Sequence, residues 1–516
     1  MTEETPERFK PYAPDVHAVV RLDEALPPEH PIHVFVDLVR SIALDHFVIP
    51  PGPKGEKPYH PHALFGLLAW GYLHGVRSSR KLARLARQEA TFVYLAGGGA
   101  PQYRTLARFR RDNAAAFTVV FQETVILALR LGLAKLGHVA LDGTKLRANT
   151  SKHKAMSYGW MQRREAQLKD EIARLVAQAE TQDATEDQEY GADSDGYAVA
   201  EELARREARL AKIRALRGRL EAEQRAAQGL ADDQQPTIAD KEQRSFADGD
   251  ARMMLLKRGD YGYAYNAQAA GDETSGIIVD ADLTNVGPDM SHLPGLVSQV
   301  RTLRAIAGLA GVDRATSTTV SADAGYFSHD NAAADGAGID LLIAAGRADP
   351  AARPTKDGTV FSLEAFGYDP VADVWVCPAG RPLVHEGTPP GAMGRPATNR
   401  YQAAPTDCAV CPLRVRCLAP GEIGRVLVAR PGRVAGATMR LKLRQPDARR
   451  RYARRKVIVE PVFGQLKEAR GFSLVSLRGL VLAKAEYLLA CLAHNLGKLL
   501  RVCVLPYAQV ATTVAS

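Results

Sequence analysis

Long apolar runs are missing from this chain. No stretch reaches the roughly 20 residues needed to cross a bilayer. The nearest, YLLACLAHNLGKLL from Tyr487 to Leu500, is broken by His494, Asn495 and Lys498 and reads as a buried amphipathic helix. An export signal is not expected either, because the opening MTEETPERFK is polar and acidic. Cysteine is scarce, with six in 516 residues. Together these shortages argue against a membrane protein or a disulfide-stapled secreted scaffold, and for reduced thiols in a cytoplasmic protein.

Charge is abundant and leans one way. Lys plus Arg number 67 against 58 Asp plus Glu, a net charge of +9 and a pI near 9.2. A basic excess of that size fits a polyanionic partner. The length exceeds one compact core, so roughly two to four domains are expected.

Residues 1–135 read as a helical domain. Pro61–Val76 and Ala114–Leu133 are apolar with helical character. Between them, SSRKLARLAR places Leu82 and Leu85 three apart, with Arg80, Lys81, Arg84 and Arg87 pointing elsewhere. In YRTLARFRR, Thr105 reads as a helix cap that sets Arg108, Arg110 and Arg111 in water. This resembles a helix-turn-helix-like DNA module with Arg104, Arg108 and Arg111 as DNA contacts; a helical domain with solvated arginines is the alternative.

A strand follows, His138–Leu141, ending at Asp142 and leading into a polar loop that contains Lys145 and His153. Residues 161–235 read as a helical hairpin inserted into a larger domain. Leu168, Ile172 and Leu175 form one stripe, Leu203, Leu210, Ile213 and Leu220 the other, with an acidic flexible tip between. Residues 260–285 give two strands around Gly271–Gly276, Leu293–Leu309 a helix, Thr318–Asp323 a strand, Asp330–Ala337 a helix start and Ile339–Ala345 another strand. Residues 346–444 suggest a small β-rich insertion, and 445–516 return to helix, basic first (ARRRYARRK) and then apolar. The expected fold class is therefore α/β: a mixed sheet flanked by helices, its core assembled from residues 136–160, 236–345 and 445–516.

Three acidic residues stand where a sheet could present them. Asp142 and Asp323 end apolar strands, HVALD and TTVSAD, and Glu460 follows Val457, Ile458 and Val459 in a helix rich in Arg and Lys. Hard divalent cations prefer such oxygen ligands, and two-metal phosphodiester chemistry needs convergent carboxylates. Each signal has a plainer reading: a turn at Asp142-Gly143, an ion pair between Glu460 and Lys456 one turn earlier. Cys377, Cys408, Cys411 and Cys417, spaced C-x30-C-x2-C-x5-C, suit a tetrahedral structural Zn²⁺, with four plain thiols as the alternative. Cys491 and Cys503 read as core, and His153 and His292 as structural. Asn266 and Gln268 point the same way from their strand and are candidates to line the site and touch DNA.

Four segments in order, VALDGTKLRANTSKHKAMSY, GYAYNAQAA, VSADAGYFS and RKVIVEPVFGQLKEARGF, resemble the DDE transposases of bacterial insertion sequences. The nearest likeness is to insertion-sequence family eleven-eighty-two with its InsH-like N-terminal domain, and it runs from about Tyr12 to Gly497. The resemblance implies an RNase H-like catalytic core in which Asp142, Asp323 and Glu460 hold two Mg²⁺ (or Mn²⁺) ions. It also implies DNA contacts from Tyr452, Arg455 and Lys467, to which Lys145 and Lys456 are added. Four residues separate Arg455 from Glu460 where many relatives have three, which favours Lys456 as the cation on the Glu460 face. The implied activity is binding of transposon terminal inverted repeats, metal-dependent cleavage and joining of the 3′-OH ends to target DNA. At least a dimer on DNA and a nucleoid-associated location would go with it. The alternatives are an RNase H-like nuclease without strand transfer, and a non-catalytic DNA-binding descendant of a transposase.

Overall fold

The computed structural model describes residues 21–22, 26–49, 57–151, 155–189, 197–256, 259–309, 317–344, 361, 365–388, 398–429 and 431–514. The readings made above for the opening decapeptide, His153 and residues 190–196 of the hairpin tip lie outside the described residues. The chain divides into two compact units, residues 1–113 with 496–516, and residues 114–495.

The first unit is helical: α1 (Pro31–Arg40), α2 (Pro61–Leu73), α3 (Ser79–Gln88), α4 (Ala90–Leu95) and α5 (Tyr103–Asp112). Pro31 and Pro61 open their helices where the missing N–H has no partner to lose. Phe35, Phe65, Leu67, Leu82 and Phe109 are fully buried. Arg80, Lys81, Arg84 and Arg87 are exposed on α3, as their spacing predicts. Helix α5 corrects two details. It begins after Gln102, so Thr105 lies inside it and caps nothing. Arg110, expected in water, is buried, its Nη1 donating to Tyr72 Oη at 3.0 Å and to the Arg77 carbonyl at 3.1 Å. Arg104, Arg108 and Arg111 remain exposed.

The second unit opens with α6 (Ala116–Arg130), which the sequence had grouped with the N-terminal domain. Its Phe117, Val120 and Val125 are buried, and Thr124 Oγ1 accepts Asn495 Nδ2 at 3.3 Å, so its apolar face is spent inside this unit. Conversely, the residues from Leu496 onward group with the first unit, not with the core they were expected to complete.

A six-stranded mixed sheet forms the centre. It uses β1 (His138–Arg147), β4 (Arg252–Leu255), β5 (Tyr261–Asp272), β6 (Ile278–Thr284), β7 (Thr318–Ala322) and β8 (Ile339–Ile343) in the order β4-β5-β1-β7-β8, with β6 also on β5. β1 is antiparallel to β5 and parallel to β7, and β8 is parallel to β7. The strand expected to stop at Asp142 runs on to Arg147, because Gly143 to Arg147 pair with Gln268 to Ala264 of β5. Pairing with β7 is shorter, from His138↔Thr319 to Ala140↔Ser321.

Between β1 and β4 the chain makes β2 (Ala155–Ser157), α7 (Tyr158–Glu189), α8 (Tyr197–Ala227) and β3 (Gln243–Ser245), with β2 and β3 paired. This is the expected helical hairpin: Leu168 and Ile172 of α7 pack with Leu210, Ile213 and Leu216 of α8. After α9 (Leu293–Leu309) and α10 (His329–Ala332), the β-rich insertion proves to be an antiparallel sheet of β9 (Gly367–Asp369), β10 (Val374–Val376), β11 (Pro382–Gly387), β12 (Asn399–Ala403) and β13 (Val426–Ala429). Trp375, Leu383 and Tyr401 form its core. Helices α11 (Pro405–Ala409), α12 (Pro431–Arg444), α13 (Pro446–Ala453), α14 (Arg455–Gly464) and α15 (Leu480–Val514) follow. Ile458 and Val459 of α14 pack on Ala140 of β1. Gly271 admits the helix, since a Cβ there would meet Val462 at 3.4 Å and the Ile458 carbonyl at 3.5 Å.

Candidate active site

Two residues beyond the last β1–β7 pair, Ala140↔Ser321, lie Asp142 and Asp323. Parallel neighbours keep the same register, so both carboxylates leave the sheet at one level. The site exists because β7 ends while β1 continues. Asp323 caps the turn Ala324–Tyr326, its Oδ1 accepting the Gly325 amide at 2.8 Å. Asp142 Oδ1 accepts the Gly143 amide at 2.9 Å. Burial raises the Asp142 pKa above the ordinary carboxylate range; the Gly143 amide and Arg455 oppose that, while Asp323 and Asp289 add to it.

Helix α14 supplies the cation. Arg455 Nη1 stands 3.6 Å from Asp142 Oδ2, longer than a hydrogen bond, and its Nε and Nη1 are buried without a hydrogen-bond partner. Tyr452 lies half-buried beside it, its pKa raised by burial and influenced by Arg455, Asp323 and Asp142. Arg455, not Lys456, is thus the cation beside the carboxylates. Lys456 is exposed. Past Pro461, which interrupts the helical ladder, the chain continues as a π-turn over Gln465–Ala469. That turn lays Lys467 on β1, where Nζ donates to Thr144 Oγ1 and reaches the Lys145 carbonyl at 3.4 Å.

Glu460 is exposed on α14. Among the described residues, no group of three or more His, Cys, Asp or Glu side chains is set to hold a metal ion. The structure therefore brings together two of the three expected acids, with Tyr452 and Arg455, and leaves Glu460 on the same helix.

Beside the Asp142 and Asp323 carboxylates stands Asp289, which sequence reasoning missed. Asp289 Oδ1 accepts Asn266 Nδ2 at 2.7 Å, Gln268 Nε2 at 2.9 Å and Lys145 Nζ at 3.3 Å. Tyr326 Oη donates to Gln268 Oε1. Asn266 and Gln268 share a face as their alternation requires, but both are buried and bind Asp289, which corrects their reading as DNA contacts. Lys145 is likewise tied to Asp289 and the Gly287 carbonyl. Nothing in GPDMSH distinguishes Asp289 from an ordinary turn residue. Gly143 is needed here for close approach: a Cβ would lie 2.5 Å from Gln268 Nε2 and 3.1 Å from Tyr326 Oη. His292 lies beside Asp282, Nδ1 to Oδ2 3.8 Å.

The four insertion cysteines are neighbours. Cys417 is partly buried, which raises its pKa, and feels Cys408, Cys377 and Cys411. Cys377 Sγ accepts the Arg381 amide at 3.3 Å. All four thiols are free. Cys491 is buried in α15, as expected.

Comparison with known families gives two matches. Residues 376–500 match the Transposase DDE domain, and residues 20–112 match the Transposase domain (DUF772). Both matches are to transposase domains. The two domains together indicate an insertion-sequence DDE transposase. The first match takes in Glu460, Tyr452, Arg455 and the four insertion cysteines; Asp142 and Asp323 lie outside it. No curated protein and no solved structure matches the chain.

Proposed function

We propose that the second unit is an RNase H-like core that cleaves DNA at the ends of an insertion sequence and joins the freed 3′-OH ends to target DNA. The observation that carries this reading is the pair Asp142 and Asp323, at one level on adjacent parallel strands, with the half-satisfied Arg455 guanidinium against them. The mixed sheet and the DDE domain match support it. Membership of insertion-sequence family eleven-eighty-two is part of the same proposal.

The donor set suits a hard divalent cation: two carboxylates, one of them held largely out of water. Asp142 and Asp323 would hold it, with Glu460 brought in from α14. When bound, such ions activate water and stabilise the leaving oxygen in phosphodiester cleavage. The chain's own residues do the rest. Arg455 sets a positive charge beside Asp142. Tyr452 walls the same side. Lys467 adds charge two residues along β1. Pairing two transposon ends calls for at least two chains. The four insertion cysteines are proposed to take a structural Zn²⁺ on the chemistry of their thiols alone, since as they stand the described side chains do not form a coordinating set.

Asp142→Asn is expected to abolish cleavage of a duplex carrying the element's terminal repeat, in Mg²⁺ or Mn²⁺, while end binding stays near wild type. Cleavage by that variant at the wild-type rate would remove the assignment.

A further inference from the structure

At the root of the helical hairpin a cleft of about 730 Å³ opens between β2, the first turn of α7, α8 and the segment after β3. Met156, Trp160 and Phe246 give it an apolar floor, and Arg209, Lys212 and Arg478 stand around it. No carboxylate is among the described residues that line it. Several other cations of the hairpin are paired: Arg164 and Arg206 with Glu171, Arg214 and Arg217 with Glu165. Arg209 and Lys212 sit instead over the Phe246 ring, at 5.9 Å and 4.4 Å from its centre. An aromatic face holds a cation in place without neutralising it, so its charge stays available to an anion.

Arg478 ties the cleft to the segment that follows the strand carrying Asp142. Thr144, Lys145, Arg147 and Lys467, together with Asp289 and Glu468, line another cleft of about 510 Å³. Past β1, the Asn149 carbonyl accepts Arg478 Nε at 3.1 Å, and Arg478 lines the first cleft together with Ala155 to Ser157. At roughly 3.3 Å per extended residue, Arg147 lies about 17 Å along β1 from Asp142. That is about half a turn of B-DNA.

We propose that this cleft is a second DNA-contact site, which receives the sugar–phosphate backbone of the transposon end a few base pairs from the phosphate held at Asp142 and Asp323. The proposal rests on the transposase reading. Charge complementarity selects the occupant: three cations without a carboxylate, tied through Arg478 to the segment after the catalytic strand, match a phosphate. The apolar floor supports the side-chain stems and leaves their charged ends at the rim.

The test is salt-dependent binding of a fluorescent duplex bearing the terminal repeat, using the full chain. Arg209→Gln/Lys212→Gln is compared with wild type and with Arg205→Gln, whose guanidinium is already paired with Glu201 on the exposed side of the hairpin. All the changed side chains are exposed, and thermal melting checks that each variant is folded. The double variant is expected to flatten the slope of log K against log salt by about 2, one unit per lost phosphate contact, and to bind several-fold more weakly. Arg205→Gln should keep the wild-type slope. A wild-type slope in the double variant overturns the inference and leaves the transposase reading standing. Failure of the wild-type chain to retain the duplex at any salt overturns both.

Discussion

Asp142 and Asp323 could be picked out from sequence because each follows an apolar run, and the pleat and register of parallel strands do the rest. Asp289 could not, since its importance comes from three donors supplied by β1 and β5 across the sheet. Beneath the carboxylates lies His138, buried on β1 with Nε2 2.8 Å from Ser321 Oγ. Burial, with Arg454 and Arg451 nearby, lowers its pKa from 6.5 to about 4. In the unfolded chain the imidazole protonates near 6.5, whereas the folded protein resists until about 4. Its contribution to stability is therefore complete above pH 6.5 and is lost as pH falls through 4, about 3 kcal/mol in all. His138→Gln is expected to remove that acid-dependent loss. Urea unfolding of both proteins across the window would test it: equal pH slopes would mean that His138 is not the titrating group.

Among the elements, periodicity located most strands and helices closely, including Leu168, Ile172, Leu210 and Ile213 of the two hairpin stripes and Leu293–Leu309. What it missed is pairing. The polar run after Asp142 reads as a loop by composition, yet β5 offers it a partner, and backbone hydrogen bonds override composition. Helix α14 shows a similar limit: its opening pair Arg455-Lys456 does not say which cation faces β1, and the packing of Ile458 and Val459 decides for Arg455. Ile458→Ala should destabilise the protein by about 2–4 kcal/mol through the cavity it leaves. It should also lower cleavage by loosening Arg455 against Asp142, while Ile458→Val costs about 1 kcal/mol and keeps cleavage. Denaturant melts and cleavage rates of the two variants check this; equal activity in both would detach the helix packing from the chemistry. The insertion sheet makes a separate prediction. If its thiols hold zinc, the purified chain carries one Zn²⁺ per molecule by elemental analysis, and Cys411→Ser loses it and melts several degrees lower. A metal-free wild-type chain with the same melting point as Cys411→Ser would leave the cluster as four ordinary thiols.

At the scale of the whole molecule, packing separates what composition blurred: the boundary falls after Asn113, and the end of the last helix groups with the N-terminal unit. Apolar helices such as α6 look alike in sequence whichever core they join, so their membership could not be read from periodicity. The separation bears on function, because the two units carry different equipment. The first has exposed arginines on α3 and α5, with Arg80 and Arg104 at 5.1 Å and 5.8 Å from the centre of the Tyr103 ring. The second has the acids. If the first unit grips DNA and the second cuts it, losses should fall on different steps. Arg104→Ala/Arg108→Ala should reduce the salt slope of duplex binding by about 2, and raise the protein concentration needed for half-maximal cleavage. At saturating protein, the cleavage rate should stay close to wild type. Asp142→Asn should show the reverse: wild-type binding and no cleavage at any concentration. A double-arginine variant that cleaves more slowly even when saturated would place those arginines within the chemistry of cleavage, and the division of labour between the units would have to be abandoned.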